Sequence, residues 1–239
     1  MISIIIPTLD EEKIIEKTLK NLAEYTGPHE IIVSDGKSTD QTVAIARRYT
    51  NKIALDHDSA RQTIAGGRNA GAALATGDFL LFLDADVTIP NPDEFFAKAL
   101  KLFAADEKLV AIAPFIRVLP EMETFFDRLV FWCFGYYLLF FNNFCGIGMA
   151  AGEFQMMRTQ KYRQLGGYNH QYVAGEDFEF FRRLSLVGKT RVIRDLTVYH
   201  TGRRPHSVGW PKLLSIWAIN SLSVTLFKKS YSKEWKEIR

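Results

Sequence analysis

Two carboxylates one residue apart, Asp84 and Asp86, follow the five-residue apolar run Phe79-Leu80-Leu81-Phe82-Leu83. Such a run reads as a buried strand, so Asp84-Ala85-Asp86 stands at a strand mouth. Hard oxygen ligands in that position suit Mg²⁺ or Mn²⁺, which keep waters and are completed by substrate phosphates. A second acidic pair, Glu176-Asp177, falls at a helix start. There a carboxylate either serves the helix dipole or works as a general base. Arg203 and Arg204 carry guanidinium forks shaped for phosphate oxygens, and they equally suit an anionic membrane.

An isolated Asp is ordinarily a turn or cap residue. What changes that reading is the repetition of polar clusters after apolar runs. Pro7-Thr8-Leu9-Asp10-Glu11 follows the first run, Ser34-Asp35-Gly36-Lys37-Ser38 the second, and Leu83-Asp84-Ala85-Asp86 the fourth. Runs rich in Ile, Val, Leu and Phe predict strands over 2–7, 30–35, 52–56, 79–84 and 109–115. Helical periodicity lies between them, over 11–25, 40–50, 59–75 and 92–105. Asp40 is placed to N-cap the second helix, and Asn91-Pro92 to start the fourth. Strand–helix alternation at this spacing predicts an α/β fold with a mostly parallel central sheet and helices on both faces. Ligands of such sheets bind beyond the carboxyl ends of the strands, where the three clusters lie.

After about Pro120 the pattern changes. An aromatic stretch, 125–144, precedes the turn Gly146-Ile147-Gly148. A strand over 153–158 leads to a helix ending at Leu165-Gly166-Gly167. A helix over 177–187 and two short strands, 190–194 and 197–200, come next. The expected organisation is one catalytic domain, 1–204, followed by an amphipathic, basic helical tail, 205–239, broken near Trp210-Pro211. Residues 1–116 would form the domain's first half, of alternating strands and helices, and 117–204 its second.

Composition excludes several classes. The 239 residues carry a net charge of only +3, too little for nucleic-acid binding by bulk electrostatics. Cys133 and Cys145 sit in an apolar stretch without CxxC spacing, which argues against zinc or a disulfide framework and for a reducing compartment. Met1-Ile2-Ser3-Ile4-Ile5-Ile6-Pro7 lacks a basic leader and reads as a strand rather than a signal peptide. The greasy segments 125–144 and 208–227 are interrupted by Asp127, Arg128, Asn142 and Asn143, and by Pro211, Lys212 and Asn220. Neither is a clean apolar span of ~20 residues.

Taken together, these motifs resemble the inverting family 2 glycosyltransferases of the GT-A fold. The likeness rests on Ile-Ile-Pro-Thr, Val33-Ser34-Asp35-Gly36-Lys37-Ser38-Thr39-Asp40, Gly67-Arg68-Asn69-Ala70-Gly71, Thr76-Gly77-Asp78 and Asp84-Ala85-Asp86. Downstream it continues through Gly166-Gly167-Tyr168 and Gly175-Glu176-Asp177, covering roughly 1–202. The resemblance implies a nucleotide-sugar donor and a divalent metal. Pro7, Thr8, Glu11, Asp35, Arg68, Asp84 and Ala85 would then surround the nucleotide. Asp86, with His200, would hold the metal, and Asp177 would be the general base. Glu176, Arg203 and Arg204 would serve the acceptor or the diphosphate. The Gln/Arg-x-x-Arg-Trp motif of processive relatives is absent, since Trp210 follows Ser207-Val208-Gly209, which favours one transfer per acceptor.

The stretch 125–144 is apolar nearly all round, so it is buried in a core, paired in a dimer, or immersed in lipid. Its Trp and Tyr residues suit a membrane interface, and the second segment ends in Lys228, Lys229, Lys233, Lys236 and Arg239. These features predict peripheral attachment to the cytoplasmic leaflet and a lipid-linked or glycan acceptor. Two other readings stand beside a transferase. A sugar nucleotidyltransferase is disfavoured by Pro-Thr-Leu-Asp-Glu where a Gly-rich basic loop is usual. A non-catalytic nucleotide-sugar or membrane-binding module is the other.

Overall fold

A computed structural model describes residues 1–55, 63–227 and 229–232. The elements of the first half of the chain are β1 (Ile2–Thr8), α1 (Ile15–Ala23), β2 (His29–Asp35), α2 (Thr42–Ala46), β3 (Ile53–Leu55), α3 (Ile64–Ala73), β4 (Phe79–Leu83) and α4 (Pro92–Ala105). They are followed by β5 (Leu109–Val118), α5 (Phe125–Asn143), β6 (Phe154–Arg158), α6 (Thr159–Gln164), α7 (Glu176–Val187), β7 (Lys189–His200), α8 (Arg203–Val208) and α9 (Trp210–Phe227).

The seven strands form one sheet in the order β3-β2-β1-β4-β6-β5-β7. β3, β2, β1 and β4 run parallel, as does the β5–β7 pair, and β6 is antiparallel to both β4 and β5. The sheet is therefore mixed but mostly parallel. Helices cover both faces, which is why β1 and β4 are near-continuous apolar runs rather than alternating ones. Ile4, Ile6, Leu81 and Leu83 enter one core, while Ile5, Leu80 and Phe82 enter the other.

Register places the chemistry. Thr8 pairs with Asp35 at the end of the β1–β2 ladder, and Asp84 follows β4 on the same edge. An antiparallel strand begins where its parallel neighbours end. Phe154, the first residue of β6, therefore pairs with Leu83, the last of β4. Residues 152 and 153 arrive beside Asp84, whose amide donates to the Glu153 carbonyl at 3.2 Å. On the far side Val118 pairs with His200, and Thr88 and Tyr199 exchange backbone hydrogen bonds of 2.7 and 3.0 Å. The Asp84–Asp86 loop is thereby tied to the end of β7.

Several expected boundaries move. The two short strands over 190–200 are one strand, β7. A register shift lets Ile193 and Thr197 face the consecutive residues Pro114 and Phe115, so the interruption is a bulge. α1 begins at Ile15 rather than at residue 11, because the amides of Asp10, Glu11 and Glu12 bond Ser38, Thr42 and Asp40. α2 begins at Thr42, with Gln41 at the cap position; Asp40 still accepts from the Thr42 amide at 2.9 Å. α3 is capped by Thr63, whose hydroxyl accepts from Gly66 N, and the earlier part of the expected 59–75 helix lies outside the described residues. So does Asp56, the last residue of the expected third strand. The tail breaks at Gly209 (φ +82), next to the expected Trp210-Pro211, and Pro211 sits in the first turn of α9 where its missing N–H costs nothing. The expected division after residue 204 falls inside α8.

The aromatic stretch forms α5, closed at its start by a reciprocal Thr124–Asp127 capping box. Only a narrow stripe of it is buried, Asp127, Phe131, Gly135, Leu138 and Asn142. Phe125 (74% exposed), Trp132 (58%) and Phe144 (76%) face outward. Asp127 also accepts from His206 Nε2 at 2.7 Å and Trp210 Nε1 at 2.8 Å, fastening α8 and the start of α9 onto α5. Among the described residues no helix is long and apolar enough to cross a membrane. Both cysteines are free.

α3 lies close on β1. A methyl group at Gly71 would come within 2.4 Å of Ile5 Cγ2, and both residues belong to a packed interface. Gly71→Ala should therefore lower unfolding free energy by about 1–3 kcal/mol, the usual cost of overpacking. Urea denaturation followed by circular dichroism measures it, and an unchanged midpoint would contradict this packing.

Candidate active site

The strand ends open into a cavity of about 460 Å³. Pro7, Thr8, Glu11, Arg68, Asp84, Ala85, Asp86, Glu176, Asp177, His200, Arg203 and Arg204 all line it. Of the residues expected at the site, Asp35 alone is not part of the wall. Its carboxylate is buried behind Thr8, held by the Ser38 amide at 2.9 Å and the Ser38 and Thr8 hydroxyls.

Arg68 is the most enclosed charge lining the cavity, with 2% of its side chain exposed. It projects from α3 across the sheet edge. Nη1 donates to Glu176 Oε1 at 2.8 Å, Nη2 to the Gly152 carbonyl at 3.0 Å, and Asp84 Oδ1 lies 3.5 Å from Nη2. The guanidinium also lies 5.3 Å from the centre of the Tyr168 ring. Glu176, expected on the acceptor or diphosphate side, thus has Arg68 as its ion-pair partner.

Four carboxylates surround this cation. Burial pushes Glu176 up to about 7, reinforced by Asp177 and opposed by Arg68. Burial pushes Glu153 to about 7 as well, with Asp84 adding to it. Asp177 rises to about 6, chiefly through burial, while Arg68 and the Phe178 amide pull the other way. The Asp84 carboxyl is raised by the same loss of solvent, against the pull of Arg68. Acids crowded into a region of low polarisability lose more on ionising than they would in water.

A second ion pair closes the other side. Arg203 grips Glu11 with both terminal nitrogens, at 2.6 and 2.7 Å, and its Nε lies 3.3 Å from Asp86 Oδ2. Glu11, expected among the residues around the nucleotide, has its carboxylate engaged by Arg203. Thr201 donates to Asp86 at 2.5 Å. His200 is buried against the edge of Phe131, its ring held neutral by burial, and its Nε2 has no hydrogen-bond partner among the described residues.

Several contributors were not legible as site residues. Gly152 and Glu153 reach the cavity only because β6 is antiparallel. Phe131 and Phe134 come from α5, and Trp217, Asn220 and Ser221 from α9, so the tail forms part of the wall. The sequence signals were slight: a small-residue run, Ala150-Ala151-Gly152, before a strand that starts beside an acid, and a polar pair, Asn220-Ser221, inside a greasy helix.

The sequence profile of Glycosyl transferase family 2 matches residues 3–166. The chain belongs to that family. It is 41% identical over 91 residues to the poly(ribitol-phosphate) beta-N-acetylglucosaminyltransferase TarS of Staphylococcus aureus strain Mu50, covering 35% of this chain and 16% of that protein. It is 37% identical over 97 residues to a PGL/p-HBAD biosynthesis glycosyltransferase of Mycobacterium tuberculosis, covering 39% and 38%. The matches thus span well under half of these relatives. In fold it is similar to the mannosyltransferase PcManGT from Pyrobaculum calidifontis, solved with GDP-Man and Mn²⁺ (TM-score 0.73, 20% identity, 97% of this chain and 65% of that one). It is also similar to glucosyl-3-phosphoglycerate synthase from Mycobacterium tuberculosis, solved with Mn²⁺ and UDP-Glc (TM-score 0.64, 19% identity, 95% and 78%). The likeness extends over α8 and α9 and establishes the GT-A type of fold.

Removing the Arg68 charge leaves the buried carboxyl of Glu176 without its partner. Arg68→Met should cost about 3–5 kcal/mol, the range for breaking a buried ion pair from one side. Glu176→Gln, which keeps a hydrogen-bonding group, should cost clearly less. Thermal unfolding of the two variants gives the order, and the reverse order would refute this assignment.

Proposed function

We propose that the protein transfers one sugar, with inversion, from a nucleotide-diphosphate donor to an acceptor hydroxyl or phosphate, working on a lipid-linked acceptor at the cytoplasmic face of a membrane. The observation that carries the catalytic part is the convergence, in one cavity, of a strand-end acidic edge with the half-buried carboxyl of Asp177. The donors named with the relatives, UDP-GlcNAc, UDP-Glc and GDP-Man, support a UDP- or GDP-sugar.

Pro7, Thr8 and Ala85 shape the pocket where the nucleotide would lie, and Asp35 sets the Thr8 hydroxyl from behind. Arg68 fixes the direction of Glu176 and Asp84 and keeps its own charge in the cleft. Asp177 would take the proton as the acceptor oxygen attacks the anomeric carbon. The bond from that carbon to the diphosphate then breaks, and the electron pair leaves with the nucleoside diphosphate. Arg203 and Arg204 stand where they can meet its negative charge.

Asp86 and His200 suit a divalent metal. Among the described residues no three His, Cys, Asp or Glu side chains could enclose one alone, so Mg²⁺ or Mn²⁺ would be completed by the donor's phosphates. The unpartnered Nε2 of His200 is a free ring nitrogen for that role. It would ligate in the Nδ1–H form, giving up a weak 3.4 Å contact from the Gly202 amide. Bound there, the metal would stabilise charge on the departing diphosphate.

The outward aromatic side chains of α5, with Leu214, Ile219 and Leu222 of α9, support docking at a lipid interface. Lys212 lies exposed on α9, and the basic residues 228, 233, 236 and 239 fall outside the described residues.

Asp177→Asn should lower turnover by about 10²–10⁴-fold, the range for losing a general base, while donor-induced thermal stabilisation persists. Because the base must be ionised, kcat/KM should fall about tenfold per pH unit below about 6 and level off above it. A pH profile without that limb would reject Asp177 as the base. Flotation with phosphatidylglycerol–phosphatidylcholine vesicles tests the membrane part. The protein should float at low salt, and the triple change Phe126→Ser, Trp132→Ser, Phe140→Ser should leave it in the soluble fraction. Equal flotation of both would remove α5 from membrane contact.

A further inference from the structure

The cavity has two walls of opposite character. The acidic edge is one. The other is formed by Phe134, Phe178 and Trp217, whose rings meet across three helices: Phe134 lies 5.6 Å from Trp217 and 6.4 Å from Phe178, centre to centre. This apolar wall starts one residue from the candidate base, since Phe178 follows Asp177. The Asp177 carboxyl itself lies against Gly152, 3.4 Å from where a Cβ would project.

We propose that the acceptor presents an uncharged hydroxyl on an apolar body packed against Phe134, Phe178 and Trp217, and that the site rejects a phosphate as the attacking group. This rests on the transferase reading above and narrows its acceptor. Charge is the first reason. Asp177, Glu153, Glu176 and Asp84 crowd the attacking side, and the Arg68 donors there are directed to Glu176, the Gly152 carbonyl and Asp84. Arg203 is engaged with Glu11 and Asp86, and Arg204 beside it on α8 faces the acids of the strand edge, Asp84, Glu153 and Asp86. A phosphate beside Asp177 would add negative charge where like charge already crowds.

Chemistry is the second. A phosphate oxygen is ionised at neutral pH and attacks without surrendering a proton, so a base next to it has no role. A hydroxyl must lose its proton as its oxygen bonds to the anomeric carbon, and Asp177 is the group placed to receive it. The electron pair of the broken carbon–oxygen bond leaves on the nucleoside diphosphate. An apolar wall continuous with the base then contributes affinity for the part of the acceptor that does not react, holding the hydroxyl in place.

The full chain is incubated with Mn²⁺ and UDP-glucose, UDP-N-acetylglucosamine or GDP-mannose, and nucleoside diphosphate release is followed. Three acceptor probes are compared: octyl β-glucoside below its micelle concentration, methyl β-glucoside, and octyl phosphate. Octyl glucoside should raise release above the donor-only rate with a KM at least tenfold below that of methyl glucoside, and octyl phosphate should give no increase. Trp217→Ala should raise the octyl glucoside KM about tenfold with a smaller change in kcat, and Trp217→Phe should restore most of it. Turnover of octyl phosphate, equal KM values for the two glucosides, or indifference to Trp217→Ala overturns the inference. Release that ignores every acceptor overturns it too, but leaves donor activation standing. No release from any donor, with or without acceptor, overturns the transferase reading itself.

Discussion

The guanidinium of Arg68 is the constraint around which the site is arranged. Moving a charge out of water is costly, and the cost is offset only if partners meet it with good geometry. Those partners come from the β4 end, the turn before β6 and the start of α7, so the elements must close on α3 together. Its neighbour Asn69 extends the junction. The Asn69 amide donates to the Tyr168 carbonyl at 2.8 Å, and its oxygen accepts from the Tyr168 amide and the Tyr162 hydroxyl at 2.9 and 2.6 Å. Two consecutive residues of one short helix thus join the two halves of the chain. The acidic character of the cleft follows from the same arrangement: one buried cation holds several carboxyls near one another, and burial raises their proton affinity.

Strand direction decides what else reaches the edge. Parallel strands deliver their last residues there, an antiparallel strand its first. β6 therefore contributes Gly152 and Glu153, whereas β4 contributes Asp84 and β7 contributes His200. The bulge in β7 is part of this arrangement. It takes up extra residues beside Pro114 and Phe115 and brings His200 level with Val118. Small size at Gly152 matters because its carbonyl must meet Arg68 at close range; a Cβ there would stand 2.8 Å from Nη2.

The apolar wall depends on a separate device. Asp127 is fully buried, yet donors from Thr124, His206 and Trp210 hold its carboxyl below the usual range despite the cost of burial. One carboxylate thereby caps α5 and anchors the α8–α9 junction. With that junction held, Trp217 can reach Phe134, and Arg203 and Arg204 are presented from the start of α8. The aromatic helix consequently has two sides, one completing the cavity and one exposed along most of its length.

The layer pattern, the strand-end placement of Thr8, Asp84 and Asp86, and the family to which those motifs point can all be read from residue order alone. These are local matters: an apolar run ends, a polar cluster follows, and in an α/β pattern the cluster must lie at the sheet edge. Arg68 and Asp177 were legible only through motif likeness, because nothing local says that a helical Arg will be buried. That Arg68 pairs with Glu176, 108 positions away, and Arg203 with Glu11, 192 away, was decided by tertiary structure. So were the antiparallel entry of β6 and the return of α9 over the cavity. Hydrophobic period fixes which face of an element is buried. It carries no information about direction, register or partner, and those decide which side chains converge.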